Sequence, residues 1–206
     1  DVAEQAIALL FAVVRGTVIV DRGVREGGWE KFRGMRVAGK NALVIGHGSI
    51  GSSLSTKLSA LGVRVLAVDP KAGPHTGPEA VTVRADLPSE ETFDFLFLCV
   101  PLTNETRQLV GKGLLSRYIP GGVLVNVSRG EVVVESELAE MIQTGELAGA
   151  GLDVFQDEPL PAGSLLRSLP SVVLGSHNAS NTEEGVKNAS LSAARILRRM
   201  IDDGKL

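Results

Sequence analysis

The feature that most constrains this chain is the segment 42–69, where a glycine cluster lies between two apolar runs. The run Ala42–Ile45 predicts a buried strand, and the motif Gly46–Gly51 follows it directly with the spacing G-x-G-x-x-G. Leucines at helical spacing come next, and a second apolar run then ends on Asp69. Strand, glycine turn, helix and strand in this order predict one βαβ unit, and the acid at its end is typical of dinucleotide-binding units.

Each glycine of the motif has a predicted role. Gly46 permits the sharp turn off the strand, Gly48 lets the backbone approach a pyrophosphate, and Gly51 allows helix and strand to pack closely. The helix start at Ser49 and Ile50 would point free N–H groups and a partial positive charge at the phosphates. The alternative is a glycine turn in an ordinary α/β protein without a ligand, but the strands on both sides favour the dinucleotide site.

Asp69 indicates which dinucleotide is bound. A carboxylate at the end of the second strand would accept hydrogen bonds from the adenosine ribose hydroxyls. The 2′-phosphate of NADP would meet this negative charge, so the sequence predicts NAD as the cofactor. Lys71, two residues on, weakens the preference slightly.

Composition excludes several classes of protein. The 206 residues carry 21 Lys and Arg against 24 Asp and Glu, a formal net charge of −3, so there is no basic footprint for nucleic acid. The apolar segment Ala6–Val14 is too short to span a bilayer, and we expect no membrane partner. The three histidines do not cluster and no metal spacing appears, so we expect no metal site.

The single cysteine, Cys99, excludes an internal disulfide and leaves the compartment reducing or unspecified. We take a cytoplasmic location as the expectation. Cys99 has no evident base beside it in the sequence, so we interpret it as a packing residue rather than a nucleophile.

The rest of the chain alternates strands with helices and predicts a Rossmann-type doubly wound α/β fold. We expect one domain over 1–206, with about seven mostly parallel strands and helices on both faces. Further strands are predicted at 81–83, 95–100, 122–127, 148–154 and 172–176, and helices at 2–14, 136–144 and 182–203. Asn181 would cap the last helix, with Glu184 at the reciprocal position.

Residues 15–40 complete an N-terminal helix and arm over 1–40. They are rich in Gly, Arg and Lys, and they set Trp29 and Phe32 among charges. Two interpretations stay open: a plain surface arm, or an arm whose aromatic side chains are buried against another subunit.

Ligands of doubly wound sheets bind outside the carboxyl ends of the strands. The residues just after the predicted strands are Ser49, Asp69, Val100-Pro101, Ser128-Arg129, Asp153 and His177. A guanidinium at Arg129 could clamp a carboxylate and an adjacent carbonyl, although a surface ion pair would explain it too. A lone histidine is usually structural, and a loop acid such as Glu158 is usually solvated. If these loops meet, Glu158 would favour the imidazolium of His177, and His177 could give a proton to a carbonyl oxygen.

These motifs resemble the cofactor domain of the D-isomer-specific 2-hydroxyacid dehydrogenases, in the order of that family and over nearly the whole chain. The matching pieces are Val2–Glu4, Gly28-Trp29, Gly39-Lys40, Gly46–Gly51, Asp69-Pro70, Val100–Thr103 with Thr106, Asn126–Gly130, Gly151–Phe155, Glu158-Pro159 and His177.

The resemblance implies a role for each site residue. Arg129 would bind a small 2-oxo or 2-hydroxy acid, His177 would be the proton donor, and Glu158 would pair with it. Asp153 would hold the nicotinamide carboxamide. The other cofactor-binding residues would be Gly46, Gly48, Ser49, Ile50, Gly51, Asp69, Val100, Pro101, Thr106, Val127, Ser128 and Ala179, with Arg129 and His177 also bordering the cofactor. A homodimer is expected.

The sequence departs from the family pattern in several places. Ser176 stands where the family usually has Pro, Asn178 where it is usually apolar or small, and Val134 where an Asp or Asn usually caps a helix. The family's substrate-binding lobe is also missing ahead of Val2. We therefore expect this chain alone to turn over 2-oxo acids weakly or not at all.

Two functions follow as hypotheses. The first is an NAD-dependent oxidoreductase that transfers a hydride between NAD(H) and a 2-oxo or 2-hydroxy acid. The second is an NAD-sensing binding protein resembling the transcriptional corepressors, which keep the same Arg, Glu and His. The sequence does not fix which hydroxy acid is used.

Overall fold

One seven-stranded sheet organises the chain, of which the computed structural model describes residues 1–71 and 78–203. Its strands run in the spatial order β3-β2-β1-β4-β5-β6-β7, and all neighbours are parallel. The strands are β1 (Asn41–Ile45), β2 (Arg64–Val68), β3 (Val81–Arg84), β4 (Phe95–Leu98), β5 (Val123–Asn126), β6 (Gly149–Leu152) and β7 (Val172–Leu174). The predicted doubly wound sheet is thereby confirmed, and its winding reverses between β1 and β4.

Helices cover both faces of this sheet, as predicted. They are α1 (Val2–Val14), α2 (Thr17–Arg25), α3 (Ser49–Ala60), α4 (Lys112–Tyr118), α5 (Glu135–Gln143) and α6 (Glu183–Asp202), with short 3₁₀ turns at Gly130–Val132 and Leu165–Ser168. The helix α5 begins after Val134 without a side-chain cap, as the sequence indicates.

The core has two halves because successive residues of a strand point to opposite faces. Ala42 and Val44 of β1 lie in the half that includes α1 and α3, whereas Leu43 and Ile45 lie in the half that includes α4 and α5. Burying a leucine-sized side chain contributes about 1.5–3 kcal/mol, so the central strands, buried on both faces, anchor the fold.

Several strands end earlier than their apolar runs predict. The pairing of β1 with β4 stops at Ile45 and Leu98, because β1 turns away at Gly46. Val100, Val127 and Asp153 therefore lie in loops at the carboxyl edge. Val127 and Asp153 are nevertheless buried, which explains why the sequence reads as continuous strand there.

Two further predictions need correction. Residues 15–40 contain the helix α2, which the sequence analysis treated as part of an arm. The cap of α6 is Thr182, whose Oγ1 accepts the Gly185 N–H at 2.9 Å, and Asn181 instead donates its side-chain amide to Asn178 Oδ1 at 3.0 Å. Part of the loop predicted over 70–80 lies outside the described residues.

The surface of α2 and of the segment after it exposes several apolar side chains among charged ones. No residue of α2 is buried, Trp29 is 85% exposed, and Phe32 packs across Gly16 while staying 43% exposed. In the part of the chain that is described, no single helix is long and apolar enough to cross a membrane, although α1 and α2 pass that test together as a bent pair.

Candidate active site

A cleft of about 640 Å³ opens at the carboxyl ends of β1, β2 and β4, where the winding of the sheet reverses. The predicted cofactor residues that line it are Gly46, Gly48, Asp69, Val100, Pro101 and Thr106. Ser49, Ile50 and Gly51 form the first turn of α3 beside it, and Ile50 is 39% exposed. The glycine turn, the first turn of α3 and the acid after β2 are therefore brought together as predicted.

The glycine turn has no room for side chains on its inner side. Gly46 has a φ of +94°, and a Cβ there would lie 2.5 Å from the Cys99 carbonyl oxygen. A Cβ on Gly51 would overlap the Gly46 carbonyl oxygen, whereas a Cβ on Gly48 would meet nothing within 4 Å. Gly46 and Gly51 thus close the turn, while Gly48 faces open space at the cleft, where a pyrophosphate fits against bare backbone.

Asp69 is held in place by two backbone groups. Its Oδ2 accepts the His47 N–H and its Oδ1 accepts the Lys71 N–H, each at 2.9 Å. The bond from His47 and then that from Lys71 lower the pKa of Asp69 below its usual value. The carboxylate therefore presents a fixed negative charge to the cleft, as a ribose-binding group requires.

The loop after β4 forms the opposite wall of the cleft. Thr106 donates its hydroxyl to the Pro101 carbonyl at 2.7 Å and accepts the Thr103 N–H at 2.8 Å. Burial raises the pKa of the Cys99 thiol to about 12, which supports its interpretation as a packing residue.

The turn after β5 is organised by Asn126, which the sequence analysis did not select as a site residue. Its Oδ1 accepts both the N–H and the hydroxyl of Ser128, at 3.0 and 2.8 Å, and its Nδ2 donates to the Arg129 carbonyl at 3.0 Å. Arg129 is exposed and donates Nη1 to the Ser128 carbonyl at 2.6 Å. A polar residue at the end of an otherwise apolar strand was the signal that could have identified Asn126.

Asp153, directly after β6, holds the turn after β7. Its side chain has no solvent exposure, and its oxygens accept the N–H groups of Asn178 at 3.1 Å and of the buried Ala179 at 2.7 Å. Its carbonyl also accepts the His177 N–H at 2.7 Å. In this conformation Asp153 fixes the loop that carries His177, and its contact with a carboxamide stays a prediction.

Glu158 and His177 meet as predicted. The Glu158 Oε2 lies 2.7 Å from the His177 Nδ1, and the Glu158 Oε1 accepts the Phe155 N–H at 3.0 Å. His177 has a φ of +56°, a left-handed conformation that costs a residue with a Cβ about 1–2 kcal/mol. The Asp153 and Glu158 contacts hold it there, with Nε2 as the nitrogen left for a substrate.

Charges around Glu158 keep it ionised. Burial alone would raise the pKa of Glu158, but the hydrogen bonds from His177 and Phe155 lower it, and the charges of His177 and Arg129 lower it further, so the net direction is down. Arg129 is thus within electrostatic reach of the pair. A guanidinium, a carboxylate and an imidazole therefore lie in one region of the molecule, and their roles in binding an anion and moving a proton stay predictions.

A second cavity, of about 550 Å³, lies beside this pair. Glu158, His177 and Arg167 line it together with apolar side chains, Phe155, Pro159, Leu160 and Leu174 among them. The cofactor cleft shares no lining residue with it. Sequence analysis missed Arg167, which donates to the carbonyls of Leu160 and Pro161 at 2.5 and 2.9 Å. Within residues 1–71 and 78–203, no group of three metal-ligating side chains is placed to hold a metal.

A parallel sheet with a glycine turn at its reversal point and an acid after β2 defines a dinucleotide-binding α/β domain, and an acid–imidazole pair from the loops after β6 and β7 lies at the same edge of the sheet. The family model for the D-isomer specific 2-hydroxyacid dehydrogenase NAD binding domain matches residues 7–179, and the chain belongs to this family. The predicted resemblance and the NAD cofactor are thereby confirmed.

Individual relatives agree with this assignment. The chain is 38% identical over 192 residues to a glyoxylate reductase of Korarchaeum cryptofilum, covering 88% of this chain and 57% of the relative. It is 36% identical over 201 residues to a D-3-phosphoglycerate dehydrogenase of Archaeoglobus fulgidus, covering 96% and 38%. The crystal structure of a glyoxylate reductase from Paecilomyes thermophila superposes with a TM-score of 0.87 at 27% identity, covering 98% of this chain and 62% of that one. The chain thus spans about two-fifths to three-fifths of these relatives.

Proposed function

We propose that the protein containing this chain is an NAD-dependent 2-hydroxyacid dehydrogenase that interconverts a small 2-oxo acid and its 2-hydroxy acid. The observation that carries the proposal is the 2.7 Å contact between Glu158 and His177 at the carboxyl edge of the sheet that also holds the cofactor cleft. The names of the relatives, a glyoxylate reductase and a phosphoglycerate dehydrogenase, support this class of reaction. Nothing in these relatives supports the corepressor alternative.

The residues of this chain would divide the chemistry among them. NAD(H) supplies and accepts the hydride, and the glycine turn, Asp69 and the loop after β4 would hold it. Arg129 would bind and orient the substrate carboxylate. His177 would donate a proton from Nε2 to the carbonyl oxygen during reduction and accept it during oxidation, and Glu158 would keep the ring oriented and favour its charged form.

Steady-state assays of the full-length protein test this proposal, with NADH and glyoxylate, the substrate named for the Korarchaeum relative, and with further 2-oxo acids. His177→Gln should lower the rate by about 10²–10⁴, the usual contribution of a general acid, because the proton source is lost. NADH affinity should change far less. Near-normal turnover by the His177→Gln protein would contradict the assignment.

The pH dependence provides a second readout with a matched control. Reduction needs the protonated ring and should fall as the pH rises, whereas oxidation should rise. Glu158→Gln removes the anion that stabilises the imidazolium, so the falling limb of reduction should move to lower pH. Asp157→Asn changes the adjacent exposed carboxylate and should leave the limb in place.

A homodimer is the second part of the proposal. Trp29 projects beside a groove of about 390 Å³ lined by Ile19, Val20, Val24 and Phe32 on the same surface. In a two-fold contact, the indole of each copy would fill the groove of the other, because such an interface joins the same patch on both subunits. Apolar area and an aromatic anchor together are typical of interface centres.

Sedimentation together with fluorescence tests the dimer, since Trp29 is the only tryptophan. On dilution, the emission of Trp29 should shift to the red as the dimer dissociates, and Trp29→Ala should sediment as a monomer that still binds NADH. A wild-type protein that is monomeric at every concentration would overturn this part.

We also propose that the protein is cytoplasmic, which the single cysteine supports because no internal disulfide has to form. Cell fractionation with marker enzymes tests it, and recovery in an extracytoplasmic fraction would contradict it.

A further inference from the structure

We propose that Glu135 is a positioning residue for the proton donor, because it fixes the segment 155–158 and thereby the Glu158 carboxylate against His177. The inference rests on the proposed dehydrogenase function and assigns that site one more residue. Glu135 lies in the first turn of α5, half-buried, and its Oε1 accepts the Gln156 N–H at 2.5 Å.

Two adjacent peptide N–H groups connect Glu135 to the pair. Phe155 donates its N–H to Glu158, and the next residue, Gln156, donates its N–H to Glu135. The same short segment therefore bonds to the acid that holds His177 and to an acid on a helix outside the pair. Without the Glu135 contact, the peptide unit between Phe155 and Gln156 could rotate, and the segment that ends at Glu158 would lose one of its fixed points.

A second contact with the segment 155–158 comes from Gly130, in the connection between β5 and α5 that also leads to Glu135. A Cβ on Gly130 would lie 1.8 Å from the Phe155 carbonyl carbon, 2.0 Å from its oxygen and 2.3 Å from the Gln156 nitrogen, so the backbone of this segment packs directly on Gly130. Gly130 follows Arg129 directly and belongs to the 3₁₀ turn that leads into α5. The connection from β5 to α5 thus carries both the substrate-binding guanidinium and the two supports of the proton-donor pair.

Charged groups near the segment 155–158 affect the pKa of Glu135. Burial raises the pKa of Glu135, the Gln156 N–H lowers it, and the charges of Asp157 and Glu158 raise it again, with a net rise. The positive groups are Arg129, whose charge acts on Glu158, and Arg167, which lines the cavity beside His177. Two variants separate bonding from charge: Glu135→Gln keeps an acceptor without charge, and Glu135→Asp keeps the charge but loses one methylene of reach.

The test measures the pH profile of 2-oxo acid reduction by the full-length protein. Glu135→Asp and Glu135→Ala should lower kcat by about tenfold or more, since small misplacements of catalytic groups cost up to about 10²-fold. The falling limb of the profile should move to lower pH, and KM for NADH should stay unchanged. Glu135→Gln should recover most of kcat. The proposal would be overturned if Glu135→Asp kept the kcat and pH profile of the wild type while Glu135→Gln lowered kcat.

Glu137→Ala is the matched control. Glu137 lies on the same helix, and its Oε2 accepts a backbone N–H, that of Lys112, at 2.5 Å. Losing that bond should lower the melting temperature to a similar extent but leave the pH profile unchanged. If Glu135→Ala and Glu137→Ala both change only the melting temperature, Glu135 is merely structural and the proposal is wrong.

A measurement without turnover separates this inference from the proposed function. In the 206-residue chain, NMR follows the His177 ring signal against pH, with His177→Gln assigning the signal. The ring should titrate at lower pH in Glu135→Asp than in the wild type or in Glu135→Gln. This result would support the positioning role even if the full-length protein turned over no 2-oxo acid, and identical titrations in all three proteins would overturn it.

Discussion

At the scale of single residues, the three glycines of the 46–51 turn have different surroundings, although each is written as the same letter in the motif. Gly46 and Gly51 are enclosed by backbone, whereas Gly48 faces the open cleft. Side chains at the first two positions would collide within the protein, and a side chain at the third would collide only with a bound pyrophosphate. Substitution should therefore separate folding from binding.

We predict that Gly51→Ala lowers the melting temperature and NADH affinity together, because the new methyl overlaps the Gly46 carbonyl oxygen. Gly48→Ala should leave the melting temperature within about a degree and weaken NADH at least tenfold. Thermal unfolding and calorimetric titration of both variants check this. A Gly48→Ala protein that binds NADH normally would show that the pyrophosphate does not lie there.

Asp69 should favour NAD over NADP, and Asp69→Ala should narrow the gap between the two affinities. Its pKa is lowered by the His47 and Lys71 N–H groups, so the carboxylate stays ionised as the pH falls below the value at which an ordinary Asp protonates. The preference should accordingly persist into mildly acidic solution and decline only below the lowered pKa.

Titration with both cofactors from about pH 4.5 to about pH 8, a range above the ordinary Asp pKa of about 3.9, measures the preference. Asp86→Ala is the control, because Asp86 lines the same cleft but follows β3 rather than β2. Equal affinity for NADP in the wild type would refute the role of Asp69.

The residue scale also shows where sequence reasoning works. The Glu158–His177 contact was predicted from the family resemblance, whereas the residues alone indicated only that both lie in loops near the carboxyl edge of a parallel sheet. The contacts of Asp153 and Glu135 with backbone N–H groups were not predicted, since they depend on loop conformation between elements. A sequence pattern identifies side-chain chemistry but not which peptide group a buried carboxylate will bind.

At the scale of elements, long amphipathic helices were predicted within a residue or two, whereas α2 was missed. Helix α2 has nine residues, with a glycine at position 23 and none buried, so no apolar stripe facing the core marks it. The ends of β5 and β6 were misjudged for the opposite reason, because buried loop residues such as Val127 and Val154 prolong the apolar runs. Hydrophobic periodicity indicates which residues are buried. It predicts secondary structure wrongly where an exposed segment is helical or a loop is buried.

The cap of α6 gives a test at this scale. Thr182→Ala should raise amide exchange over the first turn of α6 and cost about 1 kcal/mol of local helix stability, because the Gly185 N–H loses its acceptor. Asn181→Ala, at the position the sequence favoured, should have little effect. Hydrogen exchange compares the two, and the reverse order would place the cap at Asn181.

At the scale of the whole molecule, the sheet separates two tasks. The cofactor cleft lies at the ends of β1, β2 and β4, and the Glu158–His177 pair lies beyond β6 and β7 at one edge. The α/β alternation in the sequence predicts a parallel sheet but not the strand order, which follows from contacts between distant segments. Only the reversal between β1 and β4 brings the glycine turn next to Pro101.

The packing of α1 has a consequence for how the protein is made. Leu9 and Val13 of α1 lie where side chains on Gly151 and Gly149 of β6 would be, so the helix is buried against strands that come much later in the chain. Synthesis delivers α1 before β5 and β6, so the part of its apolar stripe that packs on these strands has no cover until they have left the ribosome. The nascent chain therefore exposes this part of α1 while the residues between α1 and β6 are translated, which makes it a segment where we expect a chaperone to bind.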